Sequence, residues 1–82
     1  MKDNNIITGI DIGTNNVRIV VAQAKEGEKR LKILGVGQAP STGIKKGTVA
    51  DIEETVSSIN RAKETAERIS GHPIDHAYVS IN

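Results

Sequence analysis

The chain has no cysteine, phenylalanine or tryptophan, and Tyr78 is its one aromatic residue. Without thiols there are no disulfides and no thiolate metal sites, which fits a reducing, cytosolic setting. Without large rings the core has to be built from Ile, Val, Leu and Ala, which bury less area per residue. No apolar run approaches the ~18 residues of a membrane span, and the polar start Met1-Lys2-Asp3-Asn4-Asn5 does not read as a signal peptide. A dominant charge is also missing. Eleven Lys and Arg against ten Asp and Glu leave a formal net charge of +1, too balanced for an electrostatic nucleic-acid binder. At 82 residues the chain makes at most one small domain, and its stability alone is expected to be marginal.

What is present is concentrated in Gly9-Ile10-Asp11-Ile12-Gly13-Thr14-Asn15-Asn16-Val17-Arg18. An apolar run delivers a carboxylate into a tight turn, and a second apolar run begins at once. Turns of this composition can aim successive backbone N–H groups inward and make a concave anion site. Gly13 lets a phosphate approach the main chain and is free to take positive φ. Thr14, Asn15 and Asn16 are short polar residues that bond either the backbone or a phosphate oxygen. Asp11 would repel a bare phosphate but attract a divalent cation bridging to it, and magnesium is typically held by one or two carboxylates plus phosphate oxygens and waters. Arg18, second in the next strand, adds a permanent positive charge. The plainer alternative is an ordinary strand, glycine turn and strand.

Residues 6–12 and 17–24 read as β-branched strands joined too closely for a crossover, hence as an antiparallel hairpin. After the solvated turn 25–30, residues 31–39 make a third strand whose Gly35 and Gly37 mark a bulge or a close neighbour. Residues 40–47 form a loop, with Lys45 and Lys46 read as solvated surface. Ile52, Val56, Ile59, Ala62, Ala66 and Ile69 recur at helical spacing and define a packing stripe. Asp51 is the expected cap, Glu54 its capping-box partner, Gly71 with Pro73 the stop, and Glu64 with Arg68 an i,i+4 pair. Residues 76–82 alternate as a fourth strand. His72 and His76 lack a third ligand at any recognisable spacing, so no metal site is read there.

This order, β-β-β-α-β, makes the helix a crossover and lets strand four lie parallel to strand one. The expected sheet is 3-2-1-4, with strands one to three antiparallel. It is an α/β arrangement matching the opening half of the ribonuclease H-like fold shared by actin-like nucleotide-binding proteins. Strands one and two are apolar on nearly every residue, as in a sheet covered on both faces, and one helix covers only one. A nuclease on this fold needs further carboxylates converging on two metal ions, and the fourth strand ends in Asn82 instead.

Asp11-Ile12-Gly13-Thr14-Asn15-Asn16-Val17-Arg18 resembles the first phosphate motif of the actin, sugar kinase and heat-shock chaperone superfamily. Ile33-Leu34-Gly35-Val36-Gly37, the stretch from Ser41 through Gly43-Ile44-Lys45-Lys46-Gly47 to Asp51-Ile52-Glu53, and then Ser58-Ile59, Ala62 and Ala66-Glu67 narrow the likeness. From Ile6 onward the chain is similar to the opening of the FtsA family of bacterial actin-like cell-division proteins.

The resemblance implies that residues 1–82 are an incomplete actin-like ATPase subdomain, the first segment of subdomain 1A. It implies a parent protein that binds ATP with Mg2+ between two lobes and forms filaments. Such a protein tethers the tubulin-like FtsZ to the cytoplasmic face of the membrane, at the division site, through a C-terminal amphipathic helix. By position, Asp11 would face the nucleotide-bound metal through water, and Gly13, Thr14, Asn15 and Asn16 would line the β- and γ-phosphates. Arg18 stands where relatives often carry Lys and would contact phosphate, the alternative being a solvated strand residue. Hydrolysis by this segment alone is not expected, since phosphoryl transfer relies on positioning from several sides. A pilus-assembly protein of the PilM type and a kinase of the same superfamily are the alternatives.

Overall fold

The three β-branched runs of the first half form β1 (Asn4–Ile12), β2 (Asn16–Lys25) and β3 (Leu31–Pro40), followed by helix α1 (Val49–Ser70) and β4 (Tyr78–Ile81). The structure is a computed structural model, and it describes residues 4–13, 15–40 and 49–81. Thr14, Asn82 and the loop segment carrying Lys45 and Lys46 lie outside the described residues. The strands form one sheet in the order β3-β2-β1-β4. β1 pairs antiparallel with β2, β2 antiparallel with β3, and β1 parallel with β4. The sequence-derived fold is therefore the observed one.

Alternation along the strands sets the core. Val17, Ile19 and Val21 of β2 are fully buried and share a face with Ala39 of β3, while Ile6, Ile10 and Ile12 of β1 pack beside them. Burying a Val or Ile side chain is worth roughly 1.5–3 kcal/mol, so these three residues on the second strand are the main apolar anchor. Aromatic residues contribute nothing to it, since Tyr78 is 77% exposed.

α1 lies across this face on β3 and β2. Its seam differs from the expected stripe. Ala62 and Ala66 are fully buried and Ser58 nearly so, whereas Val56 and Ile69 are half exposed; the Ile52 side chain lies outside the described residues. The cause is on the strand. A Cβ on Gly37 would overlap the Ala62 carbonyl and stand 2.8 Å from the Ala66 nitrogen, and one on Gly35 would stand 2.8 Å from the Ser70 nitrogen. The glycines draw the helix backbone onto the sheet, where only Ala and Ser fit between. Gly35 also borders an irregularity at Val21/Ala22, whose partners are Gly35 and Ile33, so Leu34 is the extra residue of a bulge. Ser58 donates to the Pro40 carbonyl at 2.6 Å, tying helix to strand end.

Helix termini account for the other differences. α1 begins at Val49, which places Asp51 inside the first turn, and its side chain lies outside the described residues. Acidic residues there still suit the helix dipole. At the other end Gly71 takes φ +77 and donates its N–H to the Glu67 carbonyl at 2.9 Å, a left-handed cap. Glu67 accepts from the Ile74 N–H at 2.8 Å and meets Lys63 at 4.0 Å. Lys63–Glu67 thus forms an i,i+4 ion pair among the described residues, and the expected Glu64–Arg68 pair does not. β4 is shorter than predicted because its pairing with β1 starts at Gly9↔Tyr78, leaving His76 and Ala77 outside the strand.

Candidate functional site

The β1–β2 hairpin closes on Ile12↔Val17, and the next rung back is Asp11↔Arg18. Between them the Gly13 N–H donates to the Asn16 carbonyl at 2.9 Å. This bond holds the turn tight and occupies the Gly13 N–H within the hairpin. Gly13 does not take positive φ, which among the described residues occurs at Gly27 and Gly71. A Cβ at 13 would stand 3.3 Å from the Asn16 carbonyl oxygen, a tight contact that the turn would have to relieve. Asn15 and Asn16 are exposed at the tip.

Asp11 and Arg18 project from the face opposite α1, and both are exposed. Parallel pairing puts Ser80 of β4 level with Asp11, and antiparallel pairing puts Gln38 of β3 level with Arg18. The result is a polar row, Gln38, Arg18, Asp11, Ser80, crossing all four strands beside the turn. Next to it, Gly9, Val20 and Tyr78 line a shallow, mainly apolar depression together with Asp11, Arg18 and Ser80. Open α/β sheets bind ligands outside the carboxyl ends of their parallel strands. Asp11 and Ser80 stand at that end of β1 and β4.

The structure therefore brings Asp11, Gly13, Asn15, Asn16 and Arg18 together around one turn. Sequence reasoning did not single out Ser80 or Gln38. Both are polar positions in alternating strands, and only the register across the sheet places them beside the charged pair. Among the described residues no three His, Asp or Glu side chains gather as a metal cage. A single exposed carboxylate suits a magnesium ion held chiefly by phosphate oxygens and water. Among the described residues no helix is long and apolar enough to cross a membrane.

An antiparallel hairpin next to a parallel strand, with a carboxylate at the carboxyl end of the parallel pair and a glycine turn beyond it, is the start of an actin-like ATPase fold. Solved structures agree. The diol dehydratase-reactivating factor, described in a nucleotide-free form, superposes with a TM-score of 0.64 at 30% identity over 95% of this chain and 12% of its own. The Aquifex aeolicus PPX-GPPA enzyme gives a TM-score of 0.52 at 22% identity over 95% of this chain and 36% of its own, a likeness of fold alone.

Sequence comparison narrows the class. The cell division protein FtsA of Bacillus subtilis is 43% identical over 82 residues, the whole chain, and that of Pseudomonas aeruginosa 40% over 81 residues. The Escherichia coli FtsA is 32% identical over 80 residues. The chain is thus a segment belonging to the FtsA family, and it spans only about 18% of the length of the curated relatives it matches. No protein-family model matches it.

Proposed function

We propose that this segment supplies the first phosphate-binding turn of an ATP-binding, actin-like cell-division protein. The observation carrying the proposal is the Asp11↔Arg18 rung directly behind the Gly13–Asn16 turn, set in a chain of FtsA sequence. ATP and Mg2+ fit this end chemically. Asp11 would orient waters on the metal, while Asn15, Asn16, Thr14 and backbone N–H groups of the turn would meet the β- and γ-phosphates. Bound magnesium would neutralise phosphate charge there, and Arg18 would supply a fixed cation on the neighbouring strand. One turn forms one wall of a cleft, so the base, the ribose and any hydrolytic machinery would be held by the remaining length of the protein.

In the same reading residues 1–82 are the first segment of subdomain 1A. The full-length protein forms filaments and tethers FtsZ to the cytoplasmic face of the membrane during septum assembly. FtsZ binding, self-association and membrane attachment would all lie in parts of the protein outside this segment. No observation favours a pilus-assembly protein or a kinase over this reading.

The test is ATP binding by the full-length protein in magnesium. Asp11→Ala is expected to weaken it roughly tenfold, as for loss of a charge-assisted contact. Gly13→Val should weaken it as well, by pressing on the Asn16 carbonyl. Unchanged affinity in both variants would sink the assignment.

A further inference from the structure

The parallel pairing of β1 with β4 places Ser80 beside Asp11 as its register partner. Both residues are exposed on the face away from α1 and both border the same depression. Side chains level with each other on adjacent strands come within contact range. A serine hydroxyl offers one donor and a carboxylate only acceptors, so the pair is chemically matched. On its other side Asp11 has Arg18 as its register partner, whose guanidinium is donor-only. Asp11 therefore stands between a neutral and a cationic donor.

We propose that Ser80 is a positioning residue for the phosphate site, its hydroxyl donating to one oxygen of the Asp11 carboxylate and so turning the other towards the magnesium-bound water. The proposal rests on the nucleotide-binding reading above and adds a residue from a different strand to it. An Arg18 guanidinium that contacts phosphate has fewer of its five N–H donors left for the carboxylate. A hydroxyl one strand over has no such competing duty. It also carries no charge, so it orients the carboxylate without cancelling the attraction for a divalent cation. The position suits a ligand-side role, since Asp11 and Ser80 both lie at the carboxyl ends of parallel strands.

The experiment compares Ser80→Val with Ser80→Thr in the full-length protein. The two variants have the same shape and the same fit to a strand, and differ in the hydroxyl. The quantity read is the ratio of ATP affinity in magnesium to that in excess chelator. Ser80→Thr should keep the ratio, and Ser80→Val should lower it about three- to tenfold. In an Asp11→Ala background the Val and Thr variants should become indistinguishable. Equal ratios for Val and Thr in the parent background would overturn the proposal, as would a Val effect that survives removal of Asp11. If Asp11→Ala itself leaves the ratio unchanged, the nucleotide-site reading fails; if it lowers the ratio while Ser80→Val does not, only the role of Ser80 fails.

Discussion

Asp11 and Arg18 are direct cross-strand partners one rung behind the turn, so opposite charges face each other where the hairpin meets its candidate ligand. Each residue has the other as its nearest fixed charge along the pairing direction. Reversing one of them should therefore act on stability and on anion binding together.

For Arg18→Glu, a like-charge rung replaces an opposite-charge one. The expected loss of stability is small, about 0.5 kcal/mol, because the pair is exposed. ATP affinity of the full-length protein should fall much further, roughly tenfold, since a cation near the phosphates becomes an anion. Thermal melts and nucleotide titration read the two effects separately, and affinity equal to that of the parent would show that Arg18 is only a solvated strand residue.

Gly37→Ala should be among the most damaging substitutions in β3. Its methyl would overlap the Ala62 carbonyl, which is helix backbone and has no rotamer to escape into. Overpacking of this kind costs about 2 kcal/mol or more. Lys32→Ala, at an exposed position on the same strand, should stay within about 0.5 kcal/mol. Denaturant midpoints of the two variants in the full-length protein provide the comparison.

Ser58→Ala removes the donor to the Pro40 carbonyl from a buried position. The orphaned acceptor predicts a loss of about 1–2 kcal/mol, although alanine is the better helix former. Ser58→Thr keeps a hydroxyl but adds a methyl at a tight seam, and it should fall between the two. A stability gain in Ser58→Ala would mean that the hydrogen bond contributes nothing to holding α1 on β3.

The isolated chain of 82 residues should unfold at low temperature or denaturant and bind hydrophobic dyes. Ile33, Val36 and Val79 are between 39% and 56% exposed, and α1 leaves one face of the sheet open. A sharp, cooperative transition well above room temperature would contradict this expectation.

The strands, their order and the position of the hairpin turn were legible in the sequence because they depend on local features. The Asp11↔Arg18 pairing itself comes from the register, since a turn shifted by one residue would pair Asp11 with a different partner. The β4 direction followed from the long helix before it. The helix seam was legible only in part: Ala62 and Ala66 lie in the expected stripe and are buried, whereas Val56 and Ile69 of that stripe are half exposed. Periodicity picks out large apolar residues such as Val56 and Ile69, yet the contact is decided by Gly35 and Gly37 on another element. Ser80 was hidden for a similar reason: a parallel register is set by the whole crossover, and nothing in the Tyr78–Ile81 run names Asp11 as its neighbour.

α1 sits off-centre, with its backbone close to β3 and β2 and farther from β1 and β4 among the described residues. Amide protection should follow that asymmetry. The backbone of β2, paired on both sides and covered by the helix, should exchange its hydrogens last, and the four-residue β4 first. The strands bearing Asp11 and Ser80 are then the ones that open most readily in this segment, so whatever covers them elsewhere in the protein also governs how firmly the phosphate wall is held.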